Sequence, residues 1–332
     1  MRAARVLPLR RLLERLLLLA GLVGLLVLVG TAGSIETGRI IAFVGWWLVP
    51  IILLGAVPHL LDTIGLYCCL PRGPRLRSVF AARLAGEGLN ALVPTATVGG
   101  ELLKASLLSR RVNARAALAA ITAAYALDAL AALSLSSIGL PFAFARLGLS
   151  PLARQALAAL LLAGMAGTTV FWRLIRSGSI VRGVDPGRPY SLAYVAMFAS
   201  TAWTVAEIAI VRFAASGELD LEGALAMGSS ATLLDAVFFF VPGQIGTREG
   251  GLAAITALAG LGAPLGIAIG LVRRARETVW TLIGYGCFVV LERRRQPDEP
   301  AWSGQVFLGS ESAPALRMMP SVSSTVRSGV VR

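Results

Sequence analysis

The chain has 332 residues, of which 56% are hydrophobic and only 15% charged, against about 25% charged in an ordinary soluble domain. Mean hydropathy is +0.75, and the apolar residues gather in runs long enough to cross a bilayer as helices. These figures exclude a soluble enzyme, a nucleic-acid reader and a disordered scaffold, and leave an all-α polytopic membrane protein. The net charge of +13 does not point to nucleic acid either. The basic residues are 30 Arg and Lys104, and most lie between apolar runs, as the positive-inside rule requires.

The first apolar run, Leu12 to Gly30, follows Arg2, Arg5, Arg10 and Arg11 and is expected to stay as a first helix. The second, Ile40 to Leu70, is too long for an untilted span, and Pro50 and Pro58 are expected to kink it. After the basic loop of Arg72, Arg75 and Arg77 comes a less hydrophobic segment, Val79 to Leu108, interrupted by Gly86, Gly88, Asn90, Pro94, Gly99 and Gly100. Ala116 to Leu140, Pro151 to Trp172 and Tyr190 to Ala214 read as clean spans. An acidic loop (Glu218, Asp220, Glu222) leads into a second broken segment, Gly223 to Gly262, which contains Pro242, Gly243, Gly246, Gly250 and Gly251. Pro264 to Leu291 is the last span. Residues 292–332 are rich in Ser, Pro and Arg, and are expected to be a disordered cytoplasmic tail.

With the basic loops placed in the cytoplasm, both broken segments must enter and leave on one side. Of the 31 basic residues, that arrangement leaves only Arg39, Arg146, Arg154 and Arg212 outside, with Arg248, Arg273, Arg274 and Arg276 inside the membrane. The expected architecture is about six transmembrane helices plus two re-entrant helical hairpins in one membrane domain, residues 1–291. The alternative is seven to eight spans. Half one (12–140) and half two (151–291) follow the same order of elements with opposite orientation. A shift of 148 residues sets Glu87 on Asp235, Val93 on Val241, Pro94 on Pro242 and Glu101 on Glu249. Inverted repeats with paired broken helices are the plan of secondary transporters, whose site lies between the repeats.

The midplane charges carry the functional reading. An Arg at mid-membrane costs about 2.5–3.5 kcal/mol on insertion scales, so Arg273, Arg274 and Arg276 must face protein, water or an anion. Glu277 is i+4 from Arg273 and i+3 from Arg274 and is expected to pair with one of them. One acid leaves a cationic surplus, to which Arg248 adds. A guanidinium fork suits phosphate, so the expected substrate-binding set is Arg248, Arg273, Arg274, Arg276 and Glu277, holding an anionic lipid head group. The alternative is a short solvated loop at 272–277, with Leu252–Leu271 a separate span.

Glu87, Glu101, Asp235 and Glu249 read either as cation or proton sites or as salt-bridge partners for the Arg. Asp128 is mid-span, with Lys104 or an Arg as expected partner and Tyr125 beside it. His59 and Asp62 share a helix face, and Asn90 is expected to satisfy backbone groups freed at the break. Gly262, Gly266 and Gly270 form a doubled GxxxG, a close-packing face inside the chain or between subunits. Three cysteines show no metal or disulfide spacing. No catalytic motif stands out, so neither a catalytic residue, a metal nor a cofactor is expected.

Two motif blocks carry a family resemblance. The first is Asn90-Ala-Leu-Val-Pro94 followed by Val98-Gly-Gly-Glu101. The second is Val241-Pro-Gly-Gln-Ile-Gly246, Glu249-Gly-Gly and Leu271-Val-Arg-Arg274. Together they resemble the flippase-like membrane family named for the transmembrane part of lysylphosphatidylglycerol synthase, and look closest to its hopanoid-biosynthesis-associated subset. The resemblance covers about residues 12–291. It implies lipid translocation or trafficking at the bacterial cytoplasmic (cell inner) membrane, with membrane lipids as partners. A second copy of the chain or lipid-biosynthesis enzymes are further candidate partners. Glu101, Arg248, Glu249, Arg273 and Arg274 fall on the family's motif positions. The full synthase's soluble aminoacyl-transferase domain has no counterpart here, which points to translocation rather than synthesis. The competing readings are a non-transporting accessory factor for lipid modification and an intramembrane transferase.

Overall fold

Helix order follows the apolar runs closely. The computed structural model describes residue 30 and residues 34–92, 98–147, 150–177, 189–238 and 244–293. The expected first span, Pro94, Pro242 and nearly all of the tail lie outside the described residues. Among those described there is no strand, and the chain is an all-α polytopic membrane protein. The helices are α1 (Ser34–Val44), α2 (Leu48–Leu54), α3 (Ala56–Cys69), α4 (Leu76–Leu92), α5 (Val98–Leu108) and α6 (Ala114–Leu147). Then follow α7 (Pro151–Arg176), α8 (Tyr190–Ser216), α9 (Leu221–Val237), α10 (Thr247–Leu258) and α11 (Ala263–Arg293). Three segments are long and apolar enough to cross a membrane: Gly45–Cys69, Ala114–Ala143 and Tyr190–Ser216. α11 is as long, but carries Arg273, Arg274, Arg276 and Glu277 at its middle.

Local chemistry explains the boundaries. The second apolar run is broken twice, by a 3-10 turn at Gly45–Trp47 and at Gly55. Each break lies within a turn N-terminal to a proline, Pro50 or Pro58, whose ring displaces the carbonyl four residues back. Gly217 ends α8 at φ +75°, the left-handed conformation that glycine adopts without a Cβ penalty. Asp220 then caps α9, accepting from the Gly223 N–H at 2.7 Å.

Two expectations are corrected here. The span expected to end at Leu140 runs on as helix to Leu147, with Pro141 inside it. The alternative loop at 272–277 is absent. α11 runs unbroken through those residues, and the turn before it falls at 259–262, where Gly260 and Gly262 hold φ of +74° and +83°.

Each broken segment contributes two helices among the described residues, α4 and α5 in the first and α9 and α10 in the second. Their packing is exchanged between the halves. α4 lies along α11, α9 lies along α6, and α3 lies along α8. Each first hairpin helix thus meets the last helix of the other half. Small residues permit it. Gly284 of α11 meets the Leu84 carbonyl and Gly88 of α4 with no room for a Cβ, and Gly139 of α6 meets Leu225 and Ser229 of α9 in the same way. The GxxxG face proves intramolecular: Gly266 and Gly270 receive Leu252 and Glu249 of α10, while Gly262 lies in the turn.

Candidate functional site

Two polar clusters sit among these apolar helices, one against each hairpin. The half-two cluster gathers the expected residues. Arg248 reaches from α10 with Nε 2.9 Å from Asp235 Oδ1 of α9 and Nη1 2.5 Å from Glu277 Oε1 of α11. Its Nη2 donates to Gln244 Oε1 at 2.6 Å. Arg274 donates to Glu249 Oε1 at 2.6 Å, and the other oxygen of Glu249 accepts from the Gly246 N–H at 2.9 Å. Gly246 has φ +80°, which lets the chain turn so that a fully buried Glu249 caps its own helix.

Glu277 does not pair with Arg273 or Arg274 as its spacing suggested. It takes Arg248 and, at 3.5 Å, Arg276. Helical spacing proposes partners on one helix, but the close approach of α10 at Gly266 and Gly270 puts a better-placed guanidinium within reach. Arg273 instead faces Glu207 of α8 at 3.6 Å and Asp235 at 3.7 Å, and Arg276 reaches Glu207 at 3.0 Å. Sequence reasoning missed Glu207. It is the single acid of its span, and an ionisable residue in such a place is itself the signal. With it the expected surplus disappears, because Arg248, Arg273, Arg274 and Arg276 meet Glu207, Asp235, Glu249 and Glu277. The balance is uneven in exposure. Side chains of Glu207 and Glu249 are 3% and 0% exposed, whereas Glu277 is 37% exposed. Glu277 is thus the acid that an outside anion can most readily replace. Gln244, at φ +49°, is a strained non-glycine residue held at this site. It donates to the Asp235 carbonyl at 2.9 Å, while its own carbonyl accepts from Arg274 at 3.2 Å.

The half-one cluster surrounds a cavity of about 190 Å³. Arg83, also missed from the sequence, lies at its centre. Its Nη2 is 2.8 Å from Asp62 and 2.5 Å from Glu87, and His59 Nδ1 lies 3.2 Å from both Arg83 Nη1 and Glu87 Oε2. Lys104 binds Glu101 at 2.6 Å, not Asp128, because a neighbour three residues back on α5 is closer than a side chain on α6. Leu66, Ile121, Ala124 and Met197 form the apolar wall, and Tyr125 and Asp128 line the cavity with exposed side chains.

Asn90 does what its position at the break suggested. Its Oδ1 accepts from the Gly100 N–H at 2.6 Å, capping α5 from the neighbouring helix. Asn90→Ala is therefore expected to lower stability by about 1 kcal/mol, the usual value of a cap, read as a lower melting temperature in detergent. An unchanged melting temperature would show that Gly100 finds another acceptor.

α3 and the residues just before it touch α11 beside both clusters. The His59 ring packs against Trp280 of α11 at 4.8 Å between centroids, tilted by 43°, and Trp280 Nε1 donates to the Ile52 carbonyl at 2.9 Å. Arg276 packs over Gly55, where a Cβ would stand 3.0 Å from its Cδ. A family model described as the lysylphosphatidylglycerol synthase TM region matches residues 15–284. No curated protein and no solved structure matches the chain.

Proposed function

The chain belongs to the family of the lysylphosphatidylglycerol synthase transmembrane region, matched over most of its length, and on that premise we propose that it moves a lipid across or out of the bacterial cytoplasmic membrane. Family membership ties the chain to lipid metabolism at a membrane. The finer reading rests on one observation: four arginines deep among apolar helices, with the half-exposed Glu277 bridging Arg248 and Arg276. A phosphate-bearing head group presents the same oxygens as that carboxylate and takes its place on the guanidinium forks. This favours an anionic phospholipid over an uncharged hopanoid. The role is translocation or trafficking, with no bond of the lipid made or broken.

The test is movement of a labelled anionic phospholipid between leaflets of vesicles holding the purified chain. A charge-assisted contact contributes about 1.5–3 kcal/mol, so Arg248→Ala should slow movement about 10- to 100-fold. Glu277→Gln weakens the competing carboxylate and should bind the head group more tightly. Wild-type chain that binds anionic lipid yet moves none would leave the accessory-factor reading in its place. Normal movement in Arg248→Ala would remove the cluster from the path.

A further inference from the structure

The cavity against the first hairpin has a charge balance unlike that of the arginine cluster. Asp62, Glu87, Glu101 and Asp128 stand around it, against Arg83 and Lys104. Arg83 is shared between Asp62 and Glu87, and Lys104 is held by Glu101. Among the described residues no hydrogen bond or ion pair reaches Asp128, the one acid here without an ion pair. Four acids against two bases leave an excess of negative charge, and Asp128 is the acid with no cation of its own; a lone carboxylate amid a transmembrane bundle costs about 2.5–3.5 kcal/mol.

What neutralises it follows from the geometry. A metal ion needs several oxygen ligands converging on one point, and the described residues contain no group of three or more acidic, His or Cys side chains that converges so. These carboxylates instead come from four different helices around an open cavity of about 190 Å³. A proton needs a single acceptor oxygen, and Asp128, exposed on the cavity wall, offers two. The ionisable and charged groups lining the cavity with it are Asp62 on α3, Arg83 and Glu87 on α4, Glu101 and Lys104 on α5, and Tyr125 on its own helix; His59 stands behind them, against Glu87 and Arg83. α8 brings Met197 to the lining and donates its Tyr194 hydroxyl to Ser134 of α6, and α7, α9 and α10 bring no lining residue.

We propose that the half-one cavity is a proton-binding site, with Asp128 as the group that takes up and releases the proton, and that this proton is coupled to lipid movement. In the step itself a hydronium ion gives its proton to a carboxylate oxygen of Asp128, leaving water and a neutral acid; no other bond changes. The charge change reaches the arginine cluster by two routes. α6 carries Gly139 against α9, and the cavity-wall Glu87 bonds His59, whose ring packs against Trp280 of α11. Only the coupling rests on the lipid reading above; the proton site stands without it.

Infrared difference spectroscopy on the purified chain between acid and alkaline pH tests the site. The wild type should show a protonated-carboxyl band that disappears on deprotonation, is lost in Asp128→Asn and returns, shifted, in Asp128→Glu. The glutamate variant separates loss of the group from loss of the fold. No Asp128-dependent band at any pH overturns the proposal. In vesicles with an imposed pH gradient, one proton per lipid shifts the steady-state leaflet ratio about tenfold per pH unit, and Asp128→Asn should lose that response. Movement that ignores the gradient overturns the coupling. A band without any lipid movement keeps the proton site and sinks the lipid reading instead. Movement that follows the amine content of the head group, with no band, would assign the cavity to an ammonium group and overturn the proton.

Discussion

Arg273→Ala is expected to be the most destabilising single charge removal in the arginine cluster. The Arg273 and Glu207 side chains are 5% and 3% exposed, so the substitution leaves a buried carboxylate with one cation fewer. Breaking a buried pair by removing one partner costs about 3–5 kcal/mol. Arg276 stays 3.0 Å from Glu207, which places the cost toward the low end. In a melting experiment in detergent the drop should be on the order of 10 °C. Adding Glu207→Gln should restore part of it, since the orphaned charge is then gone. The same cycle between Arg273 and Glu277 should show weaker coupling, because Glu277 takes its contacts from Arg248 and Arg276. Strong coupling of Arg273 to Glu277, with none to Glu207, would mean that α8 does not carry the fourth acid.

That contrast marks where sequence reasoning stops. The broken segments were legible because Gly, Pro and Asn interrupt apolar runs, and the acids Glu87 and Asp235 recur in the same place before each break. Span limits were legible to within a few residues because hydropathy changes sharply there. Pairings were not legible. A spacing of i+3 or i+4 names neighbours on one helix, whereas arginines reach across to other helices, and which helix lies opposite depends on glycines such as Gly266 and Gly270. Glu207 and Arg83 were visible as charges within spans, yet nothing in the sequence says that one lies opposite Arg273 and the other between Asp62 and Glu87.

The exchanged packing of the halves carries the other large prediction. A methyl group added at Gly284 would meet the backbone of Leu84 and Gly88, and one added at Gly139 would meet the Ser229 side chain and the Leu225 carbonyl. Overpacking of this kind costs about 1–3 kcal/mol and more where backbone must move. Gly284→Ala should therefore melt lowest and should not be rescued by trimming any one side chain. Gly139→Ala should be milder and should recover in part with Ser229→Gly, which removes its nearest obstacle. Gly167 of α7 has nothing within 4 Å of an added Cβ. There alanine should stabilise by about 0.5–1 kcal/mol through helix propensity alone. If Gly284→Ala melts like Gly167→Ala, α4 does not lie against α11. If it melts far lower, the hairpin of one half is held by the last helix of the other. Any motion that opens the cavity lined by α4 must then also shift α11, the helix that carries Arg273, Arg274 and Arg276.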